Sequence, residues 1–418
     1  MATVTSAESE GTGATGSGRS GMFGALGVRH YPALLASGWL WNMCRWASGF
    51  LGAYVVNQLT GSARLVQLTG VSLWAPLLLG GVAGGMVSDR FDRRRTVVTQ
   101  FLVLIPLAVL MGVAELTVGI RLWMLYPFLV LVGVGWVFDM TSRRAIVYDL
   151  VGPRRLDNAM ALESLSSASG LAIGTLVGGT AIQAVGVGAA YLSMAGLATV
   201  AMLCFLRVPR VARTTAASTE SPVRAMLAGF RLLRTERVLV SVLGVTAAVN
   251  FFYFSFSPLV QVVATDFGVG PFLTGLLAAM LGIGMMCGSA TIARTQPRRR
   301  GRVYVLGAST AMVVLAGFAL SPWYLGSIGF LLVSATGMGL FGATQGTLTM
   351  VSVPPELRGR ALGLLGMAIG TLPLGMLALG ELAERIGARE AIVASVACGA
   401  VVLVVSLLLR PEVLRQTA

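Results

Sequence analysis

Four ionisable side chains lie inside long apolar runs of this sequence, where a charge needs either a partner or a task. They are Arg45, Asp139, Arg143 and Glu163. An ionisable group is costly to place in a bilayer, so such groups mark functional sites. A desolvated carboxylate can hold a proton near neutral pH and release it once it is wetted or paired. We therefore expect Asp139 and Glu163 to be the proton-coupling residues, with Arg143 as their charge partner.

A purely structural role for these residues fits the same spacing. Asp139 and Arg143 stand one helical turn apart and would form an ion pair on one helix. Glu163 could pair with Arg144 in the same way, and either pair would only hold two neighbouring helices together. The sequence leaves both interpretations open.

Aromatic and polar side chains in other apolar runs could contact a small molecule. An i, i+3, i+6, i+7 pattern places four residues on one helix face: Trp39, Asn42, Arg45 and Trp46. A later aromatic run has one face formed by Asn250, Tyr253 and Phe254, and comparable polar candidates are Thr344 and Gln345. An aromatic cavity with few charges suits a bulky, partly apolar ligand. Arg45 would add attraction for an anionic group.

The elements that carry these residues are apolar helices of membrane length. The chain of 418 residues is 56% hydrophobic and 11% charged, whereas soluble domains carry about 25% charged residues. About 20 apolar residues cross a hydrocarbon core of about 30 Å, and no alternating strand pattern persists. We predict twelve transmembrane helices, over residues 31–57, 64–88, 95–118, 122–145, 158–185, 187–207, 238–262, 271–293, 303–320, 323–349, 361–384 and 390–410.

The predicted fold is an all-α membrane protein with two six-helix bundles. The bundles span residues 23–207 and 238–410, and a linker with an amphipathic helix joins them over residues 208–237. Residues 1–22 have the composition of a disordered tail, and residues 411–418 form a C-terminal tail.

Arginine placement predicts that both termini are cytoplasmic. The chain has 31 Arg and no Lys. With a cytoplasmic N-terminus, 26 of these Arg fall in cytoplasmic tails and loops and 4 in outer loops. The positive-inside rule favours this orientation and disfavours the inverse. The net charge of +14 is thus a topology signal, and no nucleic-acid partner is expected.

A short charged segment separates the second and third predicted helices. Its key residues are Gly85, Asp89, Arg90, Arg93 and Arg94. Their spacing resembles the loop motif of the major facilitator superfamily, and the resemblance covers nearly the whole chain after the tail. It implies the fold described above and an inner gate, in which this segment meets the helix ends near Arg143 and Arg360. Asp92 stands where the family usually has Gly, and simple anchoring to the inner leaflet is the alternative role.

A glycine series in the fifth predicted helix resembles a second motif of the same superfamily. Its members are Gly170, Gly174, Gly178 and Gly179. Small residues at this spacing let helices approach closely, and we expect the series to line one face. In the superfamily's exporters the motif contains a Pro where this chain has Thr175. Three further segments, Gln58–Ser62, Asp89–Arg94 and Pro354–Arg360, resemble the branch of enterobactin exporters and drug effluxers, which implies export.

Other classes of protein fit the sequence poorly. The chain has a single His, His30, and shows no zinc-ligand cluster and no phosphate-binding loop with Lys. We therefore expect no enzymatic activity, no metal and no cofactor. A proton gradient would supply the energy.

The sequence thus predicts a secondary active transporter of the plasma membrane. We expect a monomeric, multi-pass, proton-coupled exporter of a bulky amphipathic small molecule such as a drug, siderophore or secondary metabolite. An uptake permease of the same fold, for a small organic solute, is the alternative. Export predicts that deleting the gene raises the intracellular amount of cargo, and uptake predicts the reverse.

Overall fold

The computed structural model describes residues 24–90, 92–209, 233, 235–354 and 357–416, with the backbone alone for residues 79–90. The predicted tail over residues 1–22 and almost all of the predicted amphipathic helix lie outside the described residues. The described chain is helical almost throughout. Its first five helices are α1 Tyr31–Thr60, α2 Ala63–Arg90, α3 Arg93–Thr117, α4 Leu122–Val151 and α5 Leu156–Leu206.

The described part of the second half contains nine helices. They are α6 Arg237–Phe252, α7 Val260–Asp266, α8 Pro271–Thr295, α9 Arg300–Leu320, α10 Tyr324–Val351, α11 Arg358–Ile369, α12 Leu372–Ile386, α13 Ala388–Leu409 and α14 Glu412–Arg415. Within the described residues, nine helical stretches are long and apolar enough to cross a membrane. One of these stretches, Pro153–Leu206, has 54 residues. It kinks at Gly186, whose φ of 80° lies in the region that glycine adopts most readily.

Two predicted helices are interrupted in the structure, although each still forms one candidate membrane span, Arg237–Asp266 and Arg358–Ile386. The predicted helix 238–262 divides into α6, a 3-10 segment Phe254–Leu259 and α7. The predicted helix 361–384 divides into α11 and α12. Pro258 and Pro373 lie at these interruptions. Proline has no backbone N–H to donate and clashes with the preceding turn, so it weakens a continuous helix at these points.

Both described ends of the chain lie at the same end of the molecule. Ala25 N donates to Asn158 Oδ1 at 2.9 Å beside the start of α5, and Gly301 N donates to Gln416 O at 3.4 Å at the start of α9. Helices α5 and α8 run antiparallel, since Gly179 meets Gly275 while Gly282 meets Ala172. The start of α5 and the end of α8 therefore share one end, which we call the near end. The opposite end is the far end.

The two halves meet closely at the far end. A Cβ added to Gly179 would lie 2.4 Å from Pro271 O, and one added to Gly70 would lie 2.7 Å from Met376 Sδ. Such contacts are available only to residues without a side chain, so glycine sets the approach of α5 to α8 and of α2 to α12. This packing closes the gap between the two halves at the far end.

Candidate functional site

A cavity of about 90 Å³ lies between the two halves, beside the 3-10 segment Phe254–Leu259. Its wall is aromatic and apolar and includes Trp46, Phe50, Trp74, Tyr253, Phe254 and Met338. The polar groups on the wall come from Thr69, Thr175 and Gln261, among others. Pockets for drug-sized ligands measure about 300–1,000 Å³. A bulky ligand would therefore need the surrounding helices to separate.

Three of the predicted ligand contacts lie on this wall: Trp46, Tyr253 and Phe254. The Tyr253 side chain is fully buried, and its hydroxyl lies 2.9 Å from Ser334 Oγ. The Phe254 ring packs edge-on against the Tyr253 ring at 5.6 Å between centroids. The hydrogen bond and the ring contact fix the orientation of both aromatic side chains at the cavity.

The structure separates Trp39 and Asn42 from the cavity wall. Trp39 Nε1 donates to Ser169 Oγ on α5 at 3.1 Å. Asn42 packs against Gly170, where an added Cβ would lie 2.6 Å from the Asn42 Cβ. The face of α1 that carries these residues therefore turns toward α5, because the glycines there allow the closest approach.

Asn250 and Gln345 are also absent from the cavity wall, and both contact Thr246. Asn250 Nδ2 donates to Thr246 O at 2.9 Å, and Gln345 Nε2 donates to Thr246 Oγ1 at 3.0 Å. The Thr246 hydroxyl also lies 2.8 Å from the Tyr304 hydroxyl. These groups form a polar cluster within the second half, since each polar side chain in an apolar bundle seeks a partner. Thr344 is buried and donates to Leu340 O on its own helix at 2.9 Å.

Arg45 lies behind the cavity wall in a cage of three tryptophans. Its guanidinium carbon is 4.3 Å from the Trp46 ring, 4.4 Å from the Trp136 ring and 5.9 Å from the Trp74 ring. The residue is 2% exposed, and its Nε and Nη1 find no acceptor among the described residues. Cation–π attraction is stronger where water is excluded, so the cage holds the charge in place. Trp46 and Trp74 connect this cage to the cavity.

Asp139 and Arg143 form a buried ion pair on α4. Arg143 Nη2 donates to Asp139 Oδ1 at 2.7 Å and Arg143 Nε donates to Asp139 Oδ2 at 3.0 Å. Arg143 Nη1 also donates to Leu34 O of α1 at 3.1 Å. Two parallel charge-assisted bonds fix the geometry as well as the charge. Asp139 in addition interacts electrostatically with Arg45.

Glu163 differs from Asp139 because one of its carboxylate oxygens has no partner. Glu163 Oε1 is buried and forms no hydrogen bond within the part of the chain that the structure describes. The same part contains no ion pair between Glu163 and Arg144, although the two side chains interact electrostatically. Arg143 also interacts electrostatically with Glu163. One acid is thus firmly paired and the other lies beside the pair without such a bond.

Residues 33–372 match the model of the Major Facilitator Superfamily. The chain belongs to this superfamily. It is 22% identical over 354 residues to macrolide efflux protein A of Streptococcus pyogenes, a match that covers 81% of this chain and 85% of that protein. It is 26% identical over 345 residues to enterobactin exporter EntS of Shigella flexneri, with 78% and 80% covered.

A solved structure shares the superfamily fold. It is a bacterial homologue of the human lysosomal transporter Spinster in an inward-facing, unoccupied conformation. The two structures align with a TM-score of 0.71 over 93% of this chain and 98% of that one, at 17% identity. The membership in a family of transporters agrees with the prediction that this protein is a transporter and not an enzyme.

The superfamily's loop motif spans the end of α2 and the start of α3, with Gly85, Asp89 and Arg90 in α2 and Arg93 and Arg94 in α3. The structure describes only the backbone of Gly85, Asp89 and Arg90. Arg93 forms an ion pair with Asp149 at the end of α4. Arg94 Nη2 donates to Leu206 O at 3.1 Å at the end of α5. The basic residues thus tie the start of α3 to the ends of two neighbouring helices.

Asp92 has a clear local role where the superfamily usually has Gly. It is the N-cap of α3, and its carboxylate accepts hydrogen bonds from Arg94 N and Arg95 N at 2.9 and 3.0 Å. A side-chain acceptor at the N-cap satisfies backbone donors that have no partner inside the helix. The departure from the motif therefore replaces a flexible turn residue with a helix cap.

The glycine series on α5 faces two different helices, which corrects the prediction of a single face. Gly170, Gly174 and Gly178 approach α1, where added Cβ atoms would meet Asn42, Met43 and Leu51. Gly179 approaches α8 in the other half. Adjacent residues on a helix differ by about 100° in direction, because one turn holds 3.6 residues. The fourth glycine therefore belongs to the contact between halves.

Sequence reasoning missed Gln261, Thr69 and Thr175 as cavity residues. Gln261 is 4% exposed and lies in the apolar run after Pro258. A polar amide in a membrane helix is itself a signal of an interior position. The apolar wall residues carry no such signal, because lipid-facing and cavity-facing methionines and leucines look alike in sequence.

Proposed function

We propose that this protein is a proton-coupled exporter of a bulky, amphipathic small molecule and that it works by alternating access. One observation carries the proposal. An aromatic cavity between the halves lies next to a buried charge network in which Glu163 has an unpartnered carboxylate oxygen. The similarity to a macrolide efflux protein and an enterobactin exporter supports export as the direction.

The proposed topology has twelve spans and two cytoplasmic termini in the plasma membrane. The kinked stretch Pro153–Leu206 is long enough for two crossings. Helices α1 and α2, with 30 and 28 residues, complete the number together with the other candidate stretches. Arginine placement puts the near end in the cytoplasm. The far end is then the outer face, and its seal corresponds to an inward-facing state of a monomer.

Proton coupling in this proposal depends on competition for Arg143. While Glu163 is protonated, Asp139 keeps both of its bonds to Arg143. When Glu163 loses its proton, its charge attracts Arg143 and weakens that pair. Arg143 can exchange one carboxylate for the other in this way because both carboxylates are desolvated. Two negative charges beside a single Arg are costly in such a setting. The exchange would change the link between α4 and α1 through Leu34 O.

The cavity wall favours a drug, siderophore or secondary metabolite with a large apolar surface. Aromatic side chains supply most of the contact area, and few polar groups fix orientation. Arg45 stabilises a nearby negative charge through the tryptophan cage. Tyr253 and Phe254 belong to the second half. The cargo must contact this half as well as the first half for the two to move together.

Flux into proteoliposomes tests the proposal. A radiolabelled macrolide and enterobactin are each offered to vesicles with and without an imposed pH gradient. We expect accumulation only when protons can move down their gradient in exchange. The Glu163→Gln variant is expected to equilibrate the compound but not to accumulate it, and Asp139→Asn to lose accumulation as well.

The controls separate coupling from transport. Glu115→Gln changes a carboxylate that caps a loop at the far end, where Glu115 Oε2 accepts from Ile120 N at 2.8 Å, and it should transport normally. Flux that ignores the pH gradient would exclude proton exchange. Unchanged coupling in both Glu163→Gln and Asp139→Asn would exclude these residues as the proton site. Net uptake by intact cells would favour the permease alternative.

A further inference from the structure

A second cavity, of about 590 Å³, opens on the outside of the first half between α3 and α4. Its wall is largely apolar and includes Val103, Leu131 and Phe138. Val103 and Leu131 are 44% and 39% exposed, so this groove faces the surroundings of the helices and not the central cavity. In a membrane-spanning protein those surroundings are lipid chains.

The groove contains a buried amide that nothing described satisfies. Gln100 lines it and is 6% exposed, yet neither its Oε1 nor its Nε2 has a hydrogen-bond partner among the described residues. Gly135 on α4 makes room for this side chain, since an added Cβ there would lie 3.2 Å from Gln100 Cγ. A polar group left without a partner in an apolar setting is costly. The amide therefore indicates a missing ligand.

The groove is polar at one end and apolar at the other. Arg95, Thr96 and Thr99 lie at the near-end side, and the apolar residues follow deeper along α3. At 1.5 Å per residue, Gln100 lies about 7.5 Å deeper than Arg95 along the helix axis. Asp92 also lines this end, and its carboxylate accepts hydrogen bonds from two backbone N–H groups of α3. These donors and the helix N-terminus offset part of its charge, so Arg95 remains available to pair with an anion.

We propose that this groove binds a glycerophospholipid with an anionic headgroup. The phosphate pairs with Arg95, and an ester carbonyl accepts a hydrogen bond from Gln100 Nε2. One acyl chain follows Val103, Leu104 and Leu131, and Phe138 lies beside the glycerol region. The spacing matches such a lipid because its ester groups lie one glycerol unit deeper than its phosphate. Phe138 precedes Asp139, so the bound lipid touches the helix that carries the buried ion pair.

Native mass spectrometry of delipidated full-length protein tests this site with dioleoyl phosphatidylglycerol as the probe. We expect Gln100→Leu and Arg95→Gln each to weaken binding by about tenfold, the effect of losing one strong hydrogen bond. Arg302→Gln is the matched control. Arg302 is exposed and is the third residue of its helix, α9, as Arg95 is of α3. That variant should bind as the parent does.

Thermal unfolding gives an independent readout. Gln100→Leu should raise the melting temperature of the delipidated protein, because it removes an unpartnered buried amide, and it should abolish the rise that phosphatidylglycerol produces in the parent. Equal binding by the parent and both variants would overturn the proposal, as would equally tight binding of dioleoyl phosphatidylcholine. Inorganic phosphate that displaces the lipid at millimolar concentration would show a phosphate site instead, and dimerisation through this face would show a protein contact.

Discussion

At the scale of single residues, the charge network of the first half combines strong pairing with one free position. Arg143 is bonded to both oxygens of Asp139 and to a carbonyl of α1. Arg45 is held by aromatic rings instead of by an acid. Glu163 is the member with an unpartnered oxygen, and a change in its protonation is therefore the least obstructed event in the network.

The buried pair gives a residue-scale prediction about stability. Asp139→Asn removes the carboxylate that is bonded to the buried Arg143, and removing one partner of a buried pair costs about 3–5 kcal/mol. We expect a clearly lower melting temperature in detergent. The double variant Asp139→Asn with Arg143→Gln should recover most of the loss. Additive losses in the double-mutant cycle would show that the two side chains do not interact.

At the scale of elements, the N-cap of α3 is a specific feature of this chain. Asp92→Ala removes an acceptor for two backbone N–H groups and should destabilise α3 by about 1 kcal/mol. Asp92→Gly restores the residue that is usual in the superfamily. It should cost only a few tenths of a kcal/mol, since glycine is tolerated at an N-cap. Hydrogen exchange of the first turn of α3 measures both effects. Equal exchange in Asp92→Ala and the parent would contradict the cap.

The packing of α5 on α8 gives a second prediction at this scale. Gly179→Ala places a Cβ within 2.4 Å of Pro271 O, so the two helices must move apart. We expect the far end to open and a cysteine introduced at position 53 on the cavity wall to react faster with an impermeant maleimide. Gly196→Ala is the control on the same helix, because nothing lies within 4 Å of its added Cβ. Unchanged reactivity would show that this contact does not hold the seal.

At the scale of the whole molecule, polar bonds join the halves across the far end. Glu384 Oε2 accepts from Ser62 Oγ at 2.8 Å and from Arg64 N at 3.1 Å, so α12 of the second half caps the start of α2. Asn57 Nδ2 donates to Thr265 Oγ1 at 2.8 Å, and Gln67 Nε2 donates to Ser255 O at 2.9 Å. These bonds exist only while the far end is closed. In the proposed alternating-access cycle they would favour the state with a closed far end.

Weakening the contact of Glu384 with the start of α2 should shift the equilibrium between the open and the closed far end by a measurable amount. Glu384→Gln loses the charge that strengthens the cap at a helix N-terminus, worth about 1 kcal/mol or less for an exposed group. We expect the ratio of open to closed far ends to rise up to about fivefold. Electron–electron distances between spin labels at positions 59 and 386 report the ratio in a background without other cysteines. Glu115→Gln, a cap within one half, should leave the distances unchanged.

The sequence alone determined the class of protein, the helical segments and the residues able to carry charge within the membrane. Long apolar runs without an alternating strand pattern can satisfy their backbone hydrogen bonds in a bilayer only as helices. Charges inside such runs are rare and therefore conspicuous. Grouping aromatic and polar residues by helix face identified Trp46, Tyr253 and Phe254, which line the cavity. The superfamily membership that the loop motif indicated is confirmed.

The tertiary structure alone decided which way each helix faces. In water an apolar stripe marks the buried face, but in a bilayer both the lipid-facing and the protein-facing sides are apolar, so the pattern carries little directional information. For this reason Asn250 and Gln345 turned out to bind Thr246 and not the cavity, and Arg45 turned out to lie in a tryptophan cage. The interruptions at Pro258 and Pro373 likewise depend on neighbours that accept the freed backbone groups.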